Sequence, residues 1–355
     1  MNQPRRQNMI RLMSSVVHGY LGRQRTLNHP PFRLWVEPTS HCNIACQMCP
    51  TPDFTRDMKG YMSMEVFRHI VDQVSPFLNE IYLFHRGESL LNPNISDMVA
   101  YAKAAGMSTK INTNVTLLTE KRAQALLDAG LDLISFSVDG YNKEVYEKIR
   151  RKAKWDKVLP NARRFLEMRE EGGYKTLAQM EVLEFRHLFE SDAAFEEAQK
   201  DFWAYFEPYE WDKQIRRDLH NVGGNVDLDV NDGYTREKEV YQPCSYPWYA
   251  LAILWNGKVH PCPRDFMGKM PIGDVRTEHI LDIWNGDRMR QIRDGVIRKD
   301  FADQEVCASC DQPYKYTQVY MGVPLDYIPA YFRDSPLRYG VKRMLQGVPG
   351  LGARL

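Results

Sequence analysis

The segment His41-Cys42-Asn43-Ile44-Ala45-Cys46-Gln47-Met48-Cys49-Pro50 is the most informative part of this chain. It carries three cysteines in a C-x3-C-x2-C spacing, directly after the apolar run from Arg33 to Glu37. Three thiolates in one loop suit an iron–sulfur cube that leaves one iron free to bind a second molecule. A structural zinc ion prefers four protein ligands, so a zinc loop is the less suitable alternative here.

The composition narrows the class of protein. A length of 355 residues is enough for one large α/β domain and a smaller one. The net charge of +1 gives no reason to expect nucleic-acid binding, and no apolar run approaches the ~20 residues that span a bilayer. Seven cysteines without a secretory signal predict metal ligands in a reducing cytoplasm rather than disulfides.

Short apolar runs alternate with helical patterns from Arg33 onward. Six runs predict strands: Arg33–Glu37, Glu80–Phe84, Met107–Thr113, Leu133–Val138, Thr176–Glu184 and Lys213–His220. The helices predicted between them cover 64–74, 95–105, 120–129, 156–169 and a segment from 191 toward 206, with Ser63, Asn94, Thr119 and Ser191 as N-caps. Such units predict parallel strands with right-handed crossovers. Because six units are too few for an eightfold barrel, we predict a partial (β/α)6 TIM-like barrel of the α/β class.

Polar motifs follow the carboxyl ends of several predicted strands, where barrel-like sheets collect their chemistry. They are the cysteine loop, Arg86-Gly87-Glu88, Thr113-Asn114, Ser137 with Asp139-Gly140, and His220-Asn221. Their shared position on one rim is better evidence for a site than any one of them alone.

These motifs resemble those of the radical S-adenosylmethionine (SAM) enzymes. In that family three cysteines hold a [4Fe–4S] cluster, and its free iron binds the amino and carboxylate groups of SAM. Reductive cleavage of SAM then gives a 5′-deoxyadenosyl radical that abstracts a hydrogen atom from the substrate. The resemblance implies that Cys42, Cys46 and Cys49 hold this cluster.

The resemblance also implies a set of residues that contact SAM. Arg86-Gly87-Glu88 stands where the family carries Gly-Gly-Glu, with arginine in place of the first glycine. Met48 stands where the family usually carries an aromatic residue. The implied contacts are Met48, Gly87, Glu88, Thr113, Asn114, Ser137, Asp139 and Arg150.

A second group of cysteines lies beyond Gly233. Cys244 and Cys262 bracket two strand-like runs, 248–254 and 258–260, and the turn Asn256-Gly257 between them indicates a hairpin. A helix predicted from His279 to Val296 follows, and then Cys307 and Cys310. Four thiolates satisfy zinc fully, so zinc remains an open interpretation of this group.

The spacing of the second group also resembles the SPASM/twitch extensions of radical SAM enzymes, most closely the short twitch form. That resemblance implies an auxiliary [4Fe–4S] cluster held by Cys244, Cys262, Cys307 and Cys310. The two groups together use all seven cysteines. A fully ligated auxiliary cluster suits electron transfer, which favours net two-electron oxidation of a carbohydrate- or cyclitol-like alcohol.

Three alternatives to this dehydrogenase remain. A radical SAM epimerase is disfavoured, because such enzymes often return hydrogen from a spare cysteine and this chain has none. A maturase acting on a peptide, sugar or lipid is another, although residues 1–31 are too few for a peptide-leader domain. The non-enzyme alternative is a zinc- or iron–sulfur-binding scaffold.

The substrate side of the site is predicted from polar residues near the last strand and the second cysteine group. Polyol binding needs converging polar groups, and oxidation of an alcohol needs a base. The catalytic candidates are His220, Asn221, Arg216 and Asp265. The expected partners are a small-molecule substrate and an electron donor such as flavodoxin or ferredoxin.

Both ends of the chain are basic and amphipathic. Met9 to Leu21 is spaced as a helix after Arg5 and Arg6, and residues 320–355 repeat this character. Packing of the N-terminal helix across its own barrel is favoured over contact with a membrane or partner. The predicted domains are a 1–31 extension, a 32–233 barrel, a 234–319 auxiliary-cluster domain and a 320–355 tail.

Overall fold

The α/β fold is built on a parallel sheet whose strands follow the order of the chain. A computed structural model describes residues 9–217, 222–225 and 241–314, with the two-residue strands Val319–Tyr320 and Val323–Pro324. The barrel strands are β1 Arg33–Val36, β2 Glu80–Tyr82, β3 Ser108–Thr113, β4 Leu133–Ser137, β5 Leu177–Leu183 and β6 Lys213–Arg217. Neighbours in this series pair in parallel. All six strands lie within the predicted runs, and the partial barrel is confirmed.

One helix precedes these strands, and the others connect them as the alternating pattern predicts. They are α1 Met9–Leu21, α2 Met64–Val74, α3 Ile95–Ala104, α4 Glu120–Asp128, α5 Lys143–Ile149, α6 Trp155–Glu171 and α7 Asp192–Ala204. Short 3-10 turns cover Thr51–Asp53, Arg56–Met58, Ser89–Leu91, Arg186–Leu188 and Gln312–Tyr314. The side chains of Ser63, Thr119 and Ser191 cap α2, α4 and α7 as predicted.

The predicted cap of α3 is wrong. The Asn94 side chain makes no capping hydrogen bond. Its backbone N–H instead donates to Oδ1 of Asn92, 2.9 Å away. Asn92 is buried and also donates to the carbonyls of Pro38 and Met62. The tertiary contacts of Asn92 therefore fix the entry to α3, and a local capping rule does not show them.

The C-terminal region continues the barrel sheet. Its strands are β7 Ala250–Ile253, β8 Lys258–His260 and β9 Gly273–Asp274. β7 lies parallel to β1, in register from Arg33 opposite Ala250 to Val36 opposite Ile253. β8 and β9 add antiparallel strands beyond it, so one sheet runs β9-β8-β7-β1-β2-β3-β4-β5-β6.

Two predicted elements of the C-terminal region need correction. Its helices are α8 Tyr246–Tyr249, α9 Ile280–Trp284, α10 Asp287–Arg298 and α11 Glu305–Ser309. The predicted strand therefore begins at Ala250, after a helical turn. The predicted helix 279–296 is two helices, because the Asn285 side chain pairs with the backbone N–H and carbonyl of Leu27 and the chain is extended at Gly286.

The two faces of the barrel sheet differ in character. Successive side chains of a strand point to opposite faces. Leu34, Ile81 and Ile134 belong to the main hydrophobic core, which the helices also form. The alternate residues Trp35 and Tyr82 belong to a second buried cluster, with their rings 5.3 Å apart. The inner face of the barrel is thus aromatic along β1 and β2.

Helix α1 packs against this inner aromatic cluster. Leu12 is buried in it together with Phe32, Trp35 and Tyr249. The favoured expectation, that α1 packs across its own barrel, agrees with this contact. No helix in the described part of the chain is long and apolar enough to cross a membrane. The predicted C-terminal tail lies outside the described residues, apart from the two-residue strands.

The packing of α1 gives a first testable expectation. Leu12→Ala should lower the free energy of unfolding by about 2–5 kcal/mol, because it empties a buried position. Leu21→Ala in the same helix is the matched control. Leu21 is 44% exposed, so its loss should change stability by less than about 0.5 kcal/mol. Equal effects of the two variants in denaturant titrations would contradict this packing.

Candidate active site

The cysteine loop is anchored to the segment that follows α5. Ala45 and Cys46 form a two-residue antiparallel pair with Arg151 and Arg150. The N–H of Gln47 donates to the carbonyl of Ile149, 2.8 Å away. This ladder was not predicted, since two-residue strands carry no periodicity. It sets Arg150 directly beside the middle cysteine.

The three thiols of this loop lie close enough to perturb one another. Burial raises the pKa of Cys42 to about 11, and the neighbouring Glu88 and Cys49 add to the rise. Burial raises the pKa of Cys46 to about 12, while Arg150 opposes the shift. The thiols of Cys42 and Cys46 in the free chain are therefore protonated at neutral pH. Binding of metal by their thiolates must release protons, so loading should weaken on acidification.

Gly87 allows the chain after β2 to lie directly against the cysteine loop. Its φ is +67°, and a Cβ there would stand 2.4 Å from the Thr39 carbonyl oxygen and 2.6 Å from that of His41. The N–H of Glu88 donates to the same His41 carbonyl at 2.8 Å. A glycine is required at this contact, because both opposing atoms are backbone.

Glu88 is a buried carboxylate that accepts three hydrogen bonds from the protein. Oε1 accepts from the Thr113 hydroxyl at 2.8 Å and from the N–H of Leu90 at 3.2 Å. Oε2 accepts from the N–H of Asn114 at 2.7 Å. Burial raises the pKa of Glu88 above its ordinary range, and these donors partly oppose the shift. An ionised carboxylate has about four lone-pair positions, so capacity remains for a ligand ammonium group.

The end of β3 connects this carboxylate to the first cysteine. Asn114 donates to Oδ1 of Asn43 at 3.1 Å and lies 3.9 Å from the sulfur of Cys42. The next residue, Val115, has φ +68°, which a β-branched side chain rarely adopts. The backbone is thus strained where the third strand meets the cysteine loop.

A buried pair of opposite charges lies at the end of β4. Arg150 donates through Nε to Oδ2 of Asp139 at 2.7 Å, and Oδ1 accepts from the N–H of Leu183 at 3.1 Å. Burial alone would lower the pKa of Arg150, but Asp139 and Cys46 hold it raised. Ser137 hydrogen-bonds Asn112 at 2.9 Å. Arg150 therefore places a permanent positive charge beside the cysteine loop.

Met48 closes this side of the loop with apolar contacts. It packs against the cluster of Val145, Ile149 and Phe185. The structure thus brings Met48, Gly87, Glu88, Asn114 and Arg150 around the three cysteines, as the motifs predict. Their contact with SAM stays a prediction.

The second group of cysteines lines a single cavity. Cys244, Cys262, Cys307 and Cys310 share it with the apolar side chains of Ile292 and Val296. Burial and then the neighbouring thiols hold the pKa of Cys244 and of Cys307 well above the ordinary thiol value. Four thiols in an apolar cavity fit a thiolate-ligated cluster, because each donor is soft.

The described side chains do not form a site for a single metal ion. Over residues 9–217, 222–225 and 241–314, no three His, Cys, Asp or Glu side chains are arranged to hold one metal ion. In an iron–sulfur cube each thiolate binds its own iron atom, so the sulfurs need not converge on one point.

The predicted catalytic residues do not converge in the described structure. Arg216 is exposed and lies 3.5 Å from Glu184. Asp265 is fully buried and accepts from His260 at 2.6 Å and from the N–H groups of Lys269 and Met270 at 2.7 and 2.8 Å. These contacts suit Asp265 to holding the loop after Cys262. His220 and Asn221 lie outside the described residues.

The sequence interpretation missed Glu37 and His85. Glu37 is buried at the end of β1 and pairs with Arg86. His85 has a buried Nε2 without a hydrogen-bond partner, and burial, followed by the nearby Arg86 and His260, holds its pKa well below the ordinary value. Glu37 is the last residue of its predicted strand and His85 directly follows the next one, so their position at the strand ends was the available signal.

Comparison with known proteins assigns the chain to a family. The model of the radical SAM superfamily matches residues 36–175. The SPASM model, an iron–sulfur cluster-binding domain, matches residues 244–311. The chain belongs to the radical SAM superfamily. As a radical SAM enzyme with a SPASM domain, it uses SAM and [4Fe–4S] clusters, in agreement with the two cysteine groups predicted from the sequence.

Relatives of this radical SAM enzyme differ in how much of the chain they match. A tungsten-containing aldehyde ferredoxin oxidoreductase cofactor-modifying protein of Pyrococcus furiosus is 38% identical, over 30% of each chain. The SAM-dependent 2-deoxy-scyllo-inosamine dehydrogenase of Niallia circulans is 24% identical over 78% of this chain and 91% of that protein. The crystal structure of BtrN in complex with AdoMet and 2-DOIA superimposes with a TM-score of 0.52, at 22% identity over 83% of this chain and 97% of that one.

The acceptor role of Glu88 predicts opposite effects of acidification on stability and on SAM binding. A raised pKa means that the folded state takes up a proton before the unfolded chain does. The destabilisation from burying this charge is therefore present at neutral pH and disappears as pH falls through the raised pKa. Protonation also removes the acceptor for an ammonium group. As the pH is lowered, SAM affinity should begin to fall at a higher pH than it would if the acceptor were an exposed glutamate. Titration calorimetry at several pH values would measure this.

Glu88→Gln tests the same role at constant pH. An amide cannot accept from all three donors, so we expect about 1–3 kcal/mol of destabilisation and weaker SAM binding. Glu65→Gln, at an exposed position in the first turn of α2, is the matched control and should leave SAM affinity unchanged. SAM affinity that is independent of pH and of Glu88→Gln would refute the assignment.

Proposed function

We propose that this radical SAM enzyme oxidises a small polyhydroxylated alcohol, of carbohydrate or cyclitol type, by two electrons. The observation that carries the proposal is the cavity lined by Cys244, Cys262, Cys307 and Cys310. With all four positions supplied by thiols, a cluster there has no open iron for substrate and suits electron transfer. The long match to the Niallia circulans dehydrogenase supports the same reaction class.

The residues of the chain would hold the cofactors in two places. Cys42, Cys46 and Cys49 would ligate the SAM-binding cluster, and the second group the auxiliary one. When bound, SAM and the clusters supply the hydrogen-abstracting radical and the acceptor for the second electron. Glu88 would accept hydrogen bonds from the SAM ammonium group, and Arg150 would face its carboxylate.

The inner face of the barrel supports an alcohol substrate. Trp35 and Tyr82 on β1 and β2 are packed against α1, so polar side chains on the other strands would meet a substrate. On β4 and β5, Gln179 donates to the Ser135 hydroxyl at 2.8 Å, and both are buried. A polyol offers donors and acceptors with which such buried hydroxyl and amide groups can pair. Arg216, His220 and Asn221 remain the proposed groups on the substrate side, whereas the oxygens of Asp265 are already occupied.

The proposed surroundings follow from the same chemistry. Free thiols and iron–sulfur clusters require a reducing compartment, and we propose the cytoplasm. The SAM-binding cluster must receive one electron for each turnover that consumes SAM, and a low-potential carrier such as flavodoxin or ferredoxin would provide it.

Iron and sulfide analysis with low-temperature EPR, under anaerobic conditions, tests this proposal first. We expect about eight irons in the wild type and about four in the Cys42/Cys46/Cys49→Ala variant, with a SAM-perturbed signal only in the wild type. About four irons plus one zinc would remove the electron acceptor and with it the dehydrogenase.

The reaction class is then tested by product analysis. The reduced enzyme is incubated with SAM and a panel of cyclitols and sugars. Formation of 5′-deoxyadenosine with a product two mass units lighter than its substrate supports oxidation. A product of unchanged mass and inverted configuration would instead indicate an epimerase.

A further inference from the structure

Arg86 stands where the family motif has a glycine, and it is almost completely buried. Its side chain is 2% exposed. A buried guanidinium is costly unless its donors are satisfied, so its partners show what it holds together.

The first partner of Arg86 is the barrel. Nε and Nη2 donate to the two carboxylate oxygens of Glu37 at 2.5 and 2.9 Å. Glu37 lies just after β1 and is itself fully buried. The guanidinium also stacks over the ring of Phe54, with Cζ 4.9 Å from its centroid. This bidentate geometry fixes the plane of the guanidinium.

The second partner is the C-terminal region. Nη1 of Arg86 donates to the carbonyl of Phe266 at 3.2 Å. Oε2 of Glu37 also accepts from the N–H of Trp255 at 2.9 Å. Phe266 follows Cys262 in the loop that Asp265 holds rigid through His260, Lys269 and Met270. The ion pair therefore connects the barrel to the loop that carries a cysteine of the second group.

Arg86 is connected equally firmly to the proposed SAM contacts. Gly87 is held against the backbone of Thr39 and His41, and Glu88 is fixed by its three donors. Because Arg86, Gly87 and Glu88 are consecutive and Gly87 lies close to those two backbone segments, a displacement of the Glu88 backbone would be passed along the chain. It must move Arg86, and hence the Phe266 carbonyl.

We infer that Arg86 is a positioning residue that ties the SAM-binding loop to the auxiliary-cluster loop, so that SAM binding at Glu88 orders the loop after Cys262. The inference rests on the proposed assignment of Glu88 to SAM and of Cys262 to the auxiliary cluster. A glycine at position 86 would leave the two loops without this connection.

Hydrogen–deuterium exchange of the anaerobic holoenzyme, with and without SAM, tests the inference. In the wild type, SAM should slow exchange about fivefold or more over residues 112–118, which report on SAM binding, and over residues 257–272. In Arg86→Gln the slowing over 257–272 should disappear while that over 112–118 persists. Arg86→Gln/Glu37→Gln, which leaves no lone buried charge, should behave in the same way and is the variant to use if the single one does not fold.

Arg276→Gln is the matched control, because Arg276 pairs with Asp274 in the same region but is 52% exposed. It should retain the slowing over both segments. Slowing over 112–118 without slowing over 257–272 in the wild type overturns the inference and leaves the proposed function intact. So does slowing over 257–272 that survives both Arg86 variants. No slowing over either segment overturns the SAM assignment itself, and the inference with it.

Discussion

Arg86→Gly should lower the free energy of unfolding by about 3–5 kcal/mol, although it recreates the Gly-Gly-Glu sequence typical of the family. The reason is the carboxylate of Glu37, which is fully buried and loses both donors of its bidentate partner. Removal of one member of a buried pair leaves an uncompensated charge. Urea denaturation of the anaerobic protein, followed by tryptophan fluorescence, measures the loss.

The double variant Arg86→Gly/Glu37→Gln is the control for this explanation. It removes the lone charge but keeps an oxygen that can accept from the N–H of Trp255. We expect it to recover at least half of the lost stability. Arg276→Gly removes an exposed ion pair and should cost about 1 kcal/mol or less. An Arg86→Gly protein as stable as Arg276→Gly would show that the buried pair does not contribute as described.

Gly87→Ala should strongly weaken SAM binding, because it adds a methyl group against the backbone of the cysteine loop. The new Cβ would stand 2.4 Å from the Thr39 carbonyl oxygen at a φ of +67°. Backbone atoms on both sides prevent relaxation, so we expect a cost of about 3 kcal/mol or more. If the chain folds by displacing Glu88, the same cost appears as a loss of SAM affinity of about 100-fold.

Gly173→Ala is the matched control. Gly173 has a similar φ of +63°, and nothing lies within 4 Å of the Cβ that alanine would add. Gly173→Ala should lower the free energy of unfolding by about 1 kcal/mol, because only the left-handed backbone is strained. Its SAM affinity should be unchanged. Titration calorimetry and thermal unfolding of both variants separate the two effects. Equal losses at the two glycines would mean that the close contact at Gly87 is unimportant.

The sequence predicted the elements whose signals are local. Strands β1, β2, β4 and β5 show as apolar runs, and Ser63, Thr119 and Ser191 cap helices through contacts within three residues. Both cysteine groups could be found because the spacing of their cysteines is visible directly in the sequence. The position of Glu88 beside Asn114 follows from neighbouring strands that end on one rim.

The features that escaped prediction depend on contacts between distant segments. In the sequence, Arg86 is only a substitution in the Gly-Gly-Glu motif. The fold shows that Glu37 and Phe266 are its partners. The break between α9 and α10 depends on Leu27, far away in the chain. Asp265 looks like a substrate group because polarity does not reveal that its oxygens are already occupied.

The parallel pairing of β1 with β7 has a consequence for biosynthesis. During translation, the neighbour of β1 on one side is made more than 200 residues after β1 itself. Until then the nascent barrel carries an apolar strand with an open edge, which is the geometry that recruits other chains. Closure of this edge brings Cys244 and Cys262 into place on either side of the new hairpin. A chain truncated near residue 240 would therefore be prone to aggregate. Strands β7 to β9 prevent this by covering the open edge of β1.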